Sequence, residues 1–357
     1  MDCTVMDLEF WGHSVGHCPL NKRGWVLQER LLSPRVLHFG RDQLFWECRE
    51  HAAAECYPEA LPRQLCNGVD AKFKRLHPIS IDTGSAPQGG ETDDSLFYYK
   101  VWNSIIQAYS DTRLTKSPDK LIALSGIAKH MAVRINDKYL VGMWRRYLAS
   151  SLLWEVDSEN QIDGSPSARP QQYRAPSFSW ASVDGRIVPA APSESNLLIK
   201  VVEVHIDYVS EDEMGLVKGG YLDLKGYLRP LEIVVKFVGE LQQNFIRVHG
   251  NIVRASHKQE WDNGPLVRLD IGQKNFDDEN KDGSLFYMPT QRQETPDDHV
   301  SYLLLLSVKK SPNTFRRIGI AATAEAEEIE VLQGVNFGSA HSAEQFSDHG
   351  LQTVRIV

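Results

Sequence analysis

The sequence predicts an α+β protein with a helical unit around a β-hairpin, followed by an antiparallel β-rich unit. In the first half, apolar residues recur every three or four positions, which is the period of a helix. From residue 177 onward, short apolar runs alternate with glycine-rich or acidic turns. The length of 357 residues is about twice that of one compact domain, so two units are expected.

The first predicted elements are a helix and a hairpin. Asn21 can cap a helix that continues through Leu32 and ends before Pro34, because proline lacks a backbone donor and restricts the residue before it. Residues 35–39 and 43–48 are rich in apolar and aromatic side chains on either side of a glycine turn. This pattern is typical of a short β-hairpin.

Three further helices are predicted after a surface loop at residues 78–94, which is rich in glycine, proline and acidic residues. The first begins at Ser95 and carries an apolar stripe. The second begins at Ser117-Pro118-Asp119, a sequence typical of a helix start, and the third spans about 142–156. The two helical stripes consist of Leu96, Tyr99, Trp102, Ile106 and Tyr109, and of Leu121, Leu124, Ala128 and Met131.

The chain is therefore divided into a helical region at residues 1–157, a linker at 158–176, a β-rich region at 177–321 and an acidic, loosely ordered tail at 322–357. The linker contains three prolines and has no apolar periodicity. In the β-rich region the expected strands are 178–183, 197–209, 221–227, 231–238, 245–253, 267–271, 302–308 and 315–321.

Composition excludes several functional classes. The formal net charge is −8 and no clustered basic stripe is present, so a nucleic-acid partner is not expected. The longest apolar runs are far shorter than the ~20 residues that cross a bilayer, and the acidic N-terminus is unlike a targeting leader, so no membrane partner is expected. Five cysteines without Cys-x-x-Cys spacing fit a reducing compartment, and the predicted location is cytoplasmic.

One segment resembles a known family. The run from Asn21 to Cys48, with Arg23, Trp25, Gln28-Glu29 and Trp46, is similar to the end of the heterokaryon incompatibility (HET) domain of filamentous fungi. The segment 173–183, which contains Trp180, resembles the region that follows this domain. The family's upstream motifs do not precede Asn21, so the hairpin is interpreted as a remnant and the chain as an N-terminally truncated member.

The resemblance implies a protein-interaction or regulatory role in fungal non-self recognition and incompatibility cell death, with an unknown protein partner. The HET domain is thought to be distantly similar to Toll/interleukin-receptor domains. A NAD- or nucleotide-cleaving enzyme of that type is therefore one alternative, and a β-rich module that binds a small ligand is another.

Glu29 is the weak candidate for a catalytic residue. On a helix it shares a face with Trp25 and Leu32, so it is expected to be half-buried, and Trp25 is expected to lie in the core. The alternative interpretation is a structural ion pair with Arg23, Arg35 or another arginine. Gln28 is interpreted as a packing and hydrogen-bonding residue.

No cofactor or metal is predicted. Phosphate-binding glycine loops and nucleophile motifs are absent from the sequence. Zinc ligands are conceivable within residues 48–66, but their spacings of 3, 5 and 10 match no standard structural zinc site. The residues concerned are Cys48, His51, Cys56 and Cys66.

Overall fold

The computed structural model confirms the α+β class and divides the chain into two compact units, Met1–Asp137 and Lys138–Val357. It describes residues 7–66, 74, 94–157, 165–238, 241–248, 251–253, 266–279, 283–293, 299–309, 311–323 and 350–357.

The N-terminal unit combines helices with a small sheet. Its sheet is antiparallel, with the strand order β1-β2-β3. The described residues of this unit also form a π-helical turn at Gly12–Gly16 and 3₁₀ turns at Arg63–Cys66 and Ser117–Lys120. The elements are α1 (Gly24–Leu32), β1 (Arg35–Phe39), β2 (Leu44–Cys48), β3 (Ala52–Ala54), α2 (Asp94–Ser110) and α3 (Ile122–Ile135).

Local sequence explains most of these bounds. Helix α1 ends at Leu32, just before Pro34, as expected. It begins at Gly24 with Arg23 as the extended N-cap residue, so the prediction of a cap at Asn21 is wrong. The Asn21 side chain instead donates a hydrogen bond to the Val15 carbonyl at 2.8 Å.

The core of the N-terminal unit confirms the helical periodicities. The stripe residues Tyr99, Trp102, Ile106 and Tyr109 of α2 are buried, and so are Leu121, Leu124, Ala128 and Met131 at α3. Beneath the sheet, a separate cluster joins Trp11 and Val15 to Phe45 of β2 and to Ala52 and Ala54 of β3. One face of the sheet is therefore buried against this cluster.

The C-terminal unit is built on a sheet of ten strands. Its order is β12-β11-β10-β14-β15-β16-β17-β9-β8, and β13 pairs with β16 outside this path. The strands are β8 (Lys200–Tyr208), β9 (Val217–Tyr227), β10 (Arg229–Val238), β11 (Leu241–Val248), β12 (Asn251–Val253), β13 (Leu266–Leu269), β14 (Leu285–Gln293), β15 (His299–Ser307), β16 (Thr314–Thr323) and β17 (Leu351–Ile356).

Shorter elements precede this sheet. They form two small antiparallel pairs, β4-β5 and β6-β7, with one turn of helix between them in the chain. The predicted helix at 142–156 is therefore wrong, since only four residues of it are α-helical. The elements are β4 (Tyr139–Leu140), β5 (Met143–Trp144), α4 (Leu148–Ser151), β6 (Glu155–Val156) and β7 (Ile187–Val188), and α5 (Gln273–Glu279) lies later, between β13 and β14.

The predicted boundary between the two units also needs correction. The division lies at Asp137/Lys138, whereas the sequence suggested a linker at 158–176. The structure shows why residues 138–157 belong with the sheet: β6 pairs with β7, and the Trp154 indole donates to the Phe178 carbonyl at 2.9 Å. In the described part of the predicted linker, Ser167 and Arg174 are buried, so this part is packed.

The end of the predicted C-terminal tail forms a strand, although the tail was expected to be loosely ordered. Residues 351–356 form β17, which lies between β16 and β9 in the sheet. Val354 and Ile356 are almost completely buried there. The other residues of the predicted tail that the structure describes, 322 and 323, belong to β16; residues 324–349 lie outside the described residues.

Two smaller predictions also differ. The run 178–183 was expected to be a strand but contains a 3₁₀ turn at Trp180–Ser182. Strand β14 at 285–293 was not predicted. The predicted surface loop at 78–94 lies outside the described residues except for Asp94, where α2 begins.

A buried arginine fixes the surroundings of β16. The guanidinium of Arg317 is fully buried, lies 3.5 Å above the Trp154 ring and binds Asp270. It also donates to the carbonyl oxygens of Leu152 and Trp154. Burial lowers the pKa of Arg317 and raises the pKa of Asp270, so each ion depends on contact with the other.

We expect Arg317→Met to destabilise the protein by about 3–5 kcal/mol, because it leaves Asp270 buried with a weakened set of partners. Arg316→Met is the matched control, since its side chain is exposed, and it should change stability by no more than about 0.5 kcal/mol. Equilibrium denaturation of both full-length variants measures the difference. Equal small effects would show that the buried pair does not hold this unit together.

Candidate functional site

The residues of the N-terminal unit that carry the resemblance lie on α1 and β2, except for Arg23, which is the N-cap residue of α1. The Arg23 side chain is exposed. The contacts at this position are backbone hydrogen bonds of the neighbouring residues. The Gly24 N–H donates to the Arg113 carbonyl, and the Arg113 N–H donates to the Lys22 carbonyl, both at 2.7 Å. These bonds fix the start of α1 against the segment that follows α2.

Gln28 has the hydrogen-bonding role that the sequence suggested. Its Oε1 atom accepts a hydrogen bond from the backbone N–H of Gly126, on α3, at 2.8 Å. A Cβ atom at Gly126 would lie 2.7–3.3 Å from three atoms of the Gln28 amide group, the nearest being Oε1 at 2.7 Å. A larger residue at position 126 would therefore displace the Gln28 amide from this hydrogen bond.

Trp25 and Glu29 are not placed as the sequence predicted. Trp25 is 40% exposed, and its indole N–H donates to Asp119 at 3.4 Å. Glu29 is exposed, so the expectation of a half-buried acid is wrong. The buried face of α1 is formed instead by Gly24, Leu27, Arg30 and Leu31.

Two buried charges of this unit, Arg30 and Glu47, each lie one residue after a position singled out in the sequence. The Arg30 guanidinium binds the Glu47 carboxylate through two hydrogen bonds, Nε to Oε1 at 2.5 Å and Nη2 to Oε2 at 2.8 Å. The His38 Nε2 atom lies 3.0 Å from the same Oε1. The pair joins α1 to β2 with the planar geometry that arginine and a carboxylate favour.

Burial and pairing oppose each other at Glu47. Burial alone raises its pKa, but the hydrogen bonds from Arg30 and His38 and their charges lower it from 4.5 to about 2. Lys74 is also buried and donates to the carbonyls of Arg30 and Ser33 at the end of α1. Burial lowers the pKa of Lys74 to about 8, although the Glu47 carboxylate favours its charged form.

The sequence contained one signal for this cluster. In a strand, alternate residues share a face, so Glu47 lies on the same side of β2 as the buried Phe45. A carboxylate on the core side of a strand requires a buried cation. Nothing local identifies Arg30 as that cation, because the two residues belong to different elements.

The opposite face of the sheet is apolar and open to solvent. Residues directly opposite each other in an antiparallel pair share a face, and Leu37 is opposite Trp46 while Phe39 is opposite Leu44. Leu37 is 47% exposed and Phe39 is 80% exposed, whereas Trp46 and Leu44 are half-buried. We call this surface the outer face; its residues are Arg35, Leu37, Phe39, Leu44, Trp46 and Cys48.

Strand β1 also has an open backbone edge. Leu44 and Cys48 of β2 form their backbone hydrogen bonds with Glu55 and His51, on the side of β3. In a strand, the backbone N–H and C=O groups of alternate residues point to opposite sides. Those of Leu44, Trp46 and Cys48 point away from β1, so the backbone groups of the residues opposite them on β1 point away from β2. In the described part of the chain, no hydrogen bond is made by the backbone groups of Arg35, Leu37 and Phe39.

Trp180, the motif residue of the C-terminal unit, is a core residue. Its indole N–H donates to the Gly142 carbonyl at 2.9 Å, and its side chain is 2% exposed. Gly142 has a φ of +91°, and a Cβ there would lie 2.6 Å from the Trp180 Nε1 atom. The close approach explains the glycine, and Trp180 has a structural contact rather than an open binding surface.

The cysteine-rich stretch shows no metal geometry in the part that the structure describes. Cys48 and Cys56 are free thiols, and the Cys66 side chain lies outside the described residues. Among described residues, no group of three or more histidine, cysteine or acidic side chains could hold a metal ion. Likewise, no helix in the described ranges is long and apolar enough to cross a membrane.

Comparisons with protein-family models, curated proteins and solved structures find no match to this chain. The resemblance to the HET family therefore stays a prediction from the sequence. The features of the structure that bear on function are the outer face and the open edge of β1.

We expect Glu47→Gln to destabilise the protein by about 3 kcal/mol at neutral pH, because Arg30 loses its buried counter-charge. Because the pKa of Glu47 is lowered in the folded state, its carboxylate stabilises the fold at pH values above its ordinary pKa of 4.5. This stabilisation is lost as the pH falls towards about 2. The difference between wild type and variant should therefore shrink between pH 4.5 and 2.

Denaturation at a series of pH values measures this effect. Glu59→Gln is the matched control, because Glu59 is an exposed acid of the same unit. A Glu47→Gln variant whose deficit is constant down to pH 2 would show that the carboxylate is not held in its charged form.

Proposed function

We propose that the protein acts in HET-type incompatibility as an interaction component, and that the outer face of its N-terminal sheet binds a protein partner in the cytoplasm. The observation that carries the proposal is the exposure of Leu37 and Phe39 on an open strand edge. Exposed apolar surface on a folded sheet is typical of protein-binding sites, and an open edge can accept another strand.

The surface is rigid enough to act as a docking site. Behind it, Phe45 packs with Trp11, and Glu47 is held by Arg30. These contacts fix β2, and β2 fixes β1 through five opposite pairs from Arg35↔Cys48 to Phe39↔Leu44. A partner would meet a preformed face, so little ordering of this chain would oppose binding.

The cell-death role predicts a phenotype that depends on the outer face. We expect induced expression of the chain in a filamentous fungus to arrest growth, and Phe39→Lys to abolish the arrest, because a charge within an apolar contact opposes burial. Val133→Lys is the matched control, since Val133 is equally exposed, at 80%, but lies on α3 of the same unit.

Growth arrest by the Val133→Lys protein and none by the Phe39→Lys protein, at equal protein levels, would support the role of the outer face. Full activity of both variants would exclude this face as the functional surface. Normal growth with the wild-type chain at high level would contradict the proposed cell-death role itself.

The enzymatic alternative depends on Glu29, and the geometry does not favour it. Glu29 is exposed on α1, whereas a catalytic acid for glycosidic cleavage needs a cleft that restricts water. We therefore expect purified protein incubated with NAD to release no nicotinamide above background, and Glu29→Gln to change nothing. Turnover that disappears in Glu29→Gln would overturn the interaction proposal and make Glu29 catalytic.

A further inference from the structure

We propose that the partner seated on the β1 edge is a second copy of this chain, with the two β1 strands paired antiparallel about a two-fold axis. This inference rests on the proposed function, because it names the partner of the same surface. It follows from three properties of β1: its open backbone edge, its exposed apolar side chains and its sequence.

The backbone groups of β1 are arranged for such a pairing. Arg35, Leu37 and Phe39 point their N–H and C=O groups away from β2, and no described residue bonds to them. In an antiparallel pair, such residues form hydrogen-bonded pairs with each other. A register with Leu37 opposite Leu37 of the second copy would form about six backbone hydrogen bonds.

The side chains complement one another in this register. Arg35 faces Phe39 of the second copy at both ends of the pair, and the two Leu37 side chains meet at the centre. Arginine beside an aromatic ring is a favourable pair, and adjacent apolar residues remove each other's exposed surface from water. On the opposite face, Val36 faces His38 of the second copy, so no like charges stand opposite each other within the strands.

Neighbouring registers are worse. If one strand is shifted by two residues in one direction, Arg35 lies opposite Arg41 of the second copy, and these like charges repel each other. A shift in the other direction moves Phe39 beyond the paired strand, opposite Ser33 of the second copy, and leaves its ring uncovered. The strand is thus self-complementary in one register.

The outer faces of the two copies would join into one continuous surface. The dimer would contain a six-stranded sheet in which the two β1 strands are no longer edges. Edge strands with exposed apolar side chains aggregate unless they are covered, and closed two-fold pairing covers both edges at once. The same geometry explains why Leu37 and Phe39 are exposed in a single chain.

The register makes a charge-specific test possible. Phe39→Lys places a cation opposite Arg35 of the second copy, whereas Phe39→Glu places an anion there. Both variants remove the same ring from an exposed position, so neither should alter folding. The double variant Arg35→Glu/Phe39→Lys restores opposite charges with the signs exchanged.

Sedimentation velocity of the full-length chain, from low micromolar to several hundred micromolar, measures the association. We expect the wild type to be a dimer at the upper end, Phe39→Lys to dimerise at least about tenfold more weakly, and Phe39→Glu and the double variant to associate more tightly than Phe39→Lys. Circular dichroism and thermal unfolding check that all variants fold alike.

A wild-type chain that is monomeric throughout would overturn the proposal, and so would equal weakening by Phe39→Lys and Phe39→Glu together with no rescue by the double variant. These results are separate from the growth phenotype. A monomer whose growth arrest still requires Phe39 would point to a different protein on this edge, with the proposed interaction role intact. A dimer that causes no growth arrest would leave the pairing correct and the proposed function wrong.

Discussion

The ion pair between Arg30 and Glu47 determines which surface the N-terminal unit presents to solvent. Both side chains are buried, and each requires the other, because an isolated buried ion costs several kcal/mol. Glu47 can reach Arg30 only from the inner side of β2. A slip of one residue in the strand would turn Glu47 outward and bury its neighbours, so the pair fixes which side of every residue on β1 and β2 faces the core. The exposed Leu37 and Phe39 are a consequence of this choice.

A similar constraint organises the C-terminal unit. Arg317 is fully buried, and its donors are satisfied by Asp270 and by the carbonyls of Leu152 and Trp154. Carbonyl groups in irregular segments usually bond to water, and here a strand of the sheet supplies the donors instead. This is why residues before 158 belong to the sheet rather than to the helical unit. In both units, one arginine determines which distant segments pack together.

The sequence predicted the elements that depend on local pattern and missed those that depend on distant partners. The stripe from Tyr99 to Tyr109 is buried because helical periodicity alone defines an apolar face. Trp25 does not follow this rule, because the buried face of α1 is the one that carries Arg30, which binds Glu47. Strand β17 is short and follows an acidic stretch, and only its place between β16 and β9 explains its burial. The outer face could not be predicted for the same reason. Most of its residues are apolar or aromatic, as in a core, and only the burial of Glu47 on the other side of β2 shows that they face solvent.

A pairing through β1 alone would be weak, and this has a consequence for regulation. Each hydrogen bond contributes a net ~0.5–1.5 kcal/mol, while association costs at least ~4 kcal/mol in lost freedom of motion. About six bonds with a small apolar contact therefore give a weak affinity, so that the dimeric fraction depends on the concentration of the chain. A strand of another protein could compete for the same edge, because backbone pairing has little sequence specificity. Specificity would then come from the side chains, above all from the residue placed opposite Arg35, where an acidic or aromatic partner is favoured and a basic one is rejected.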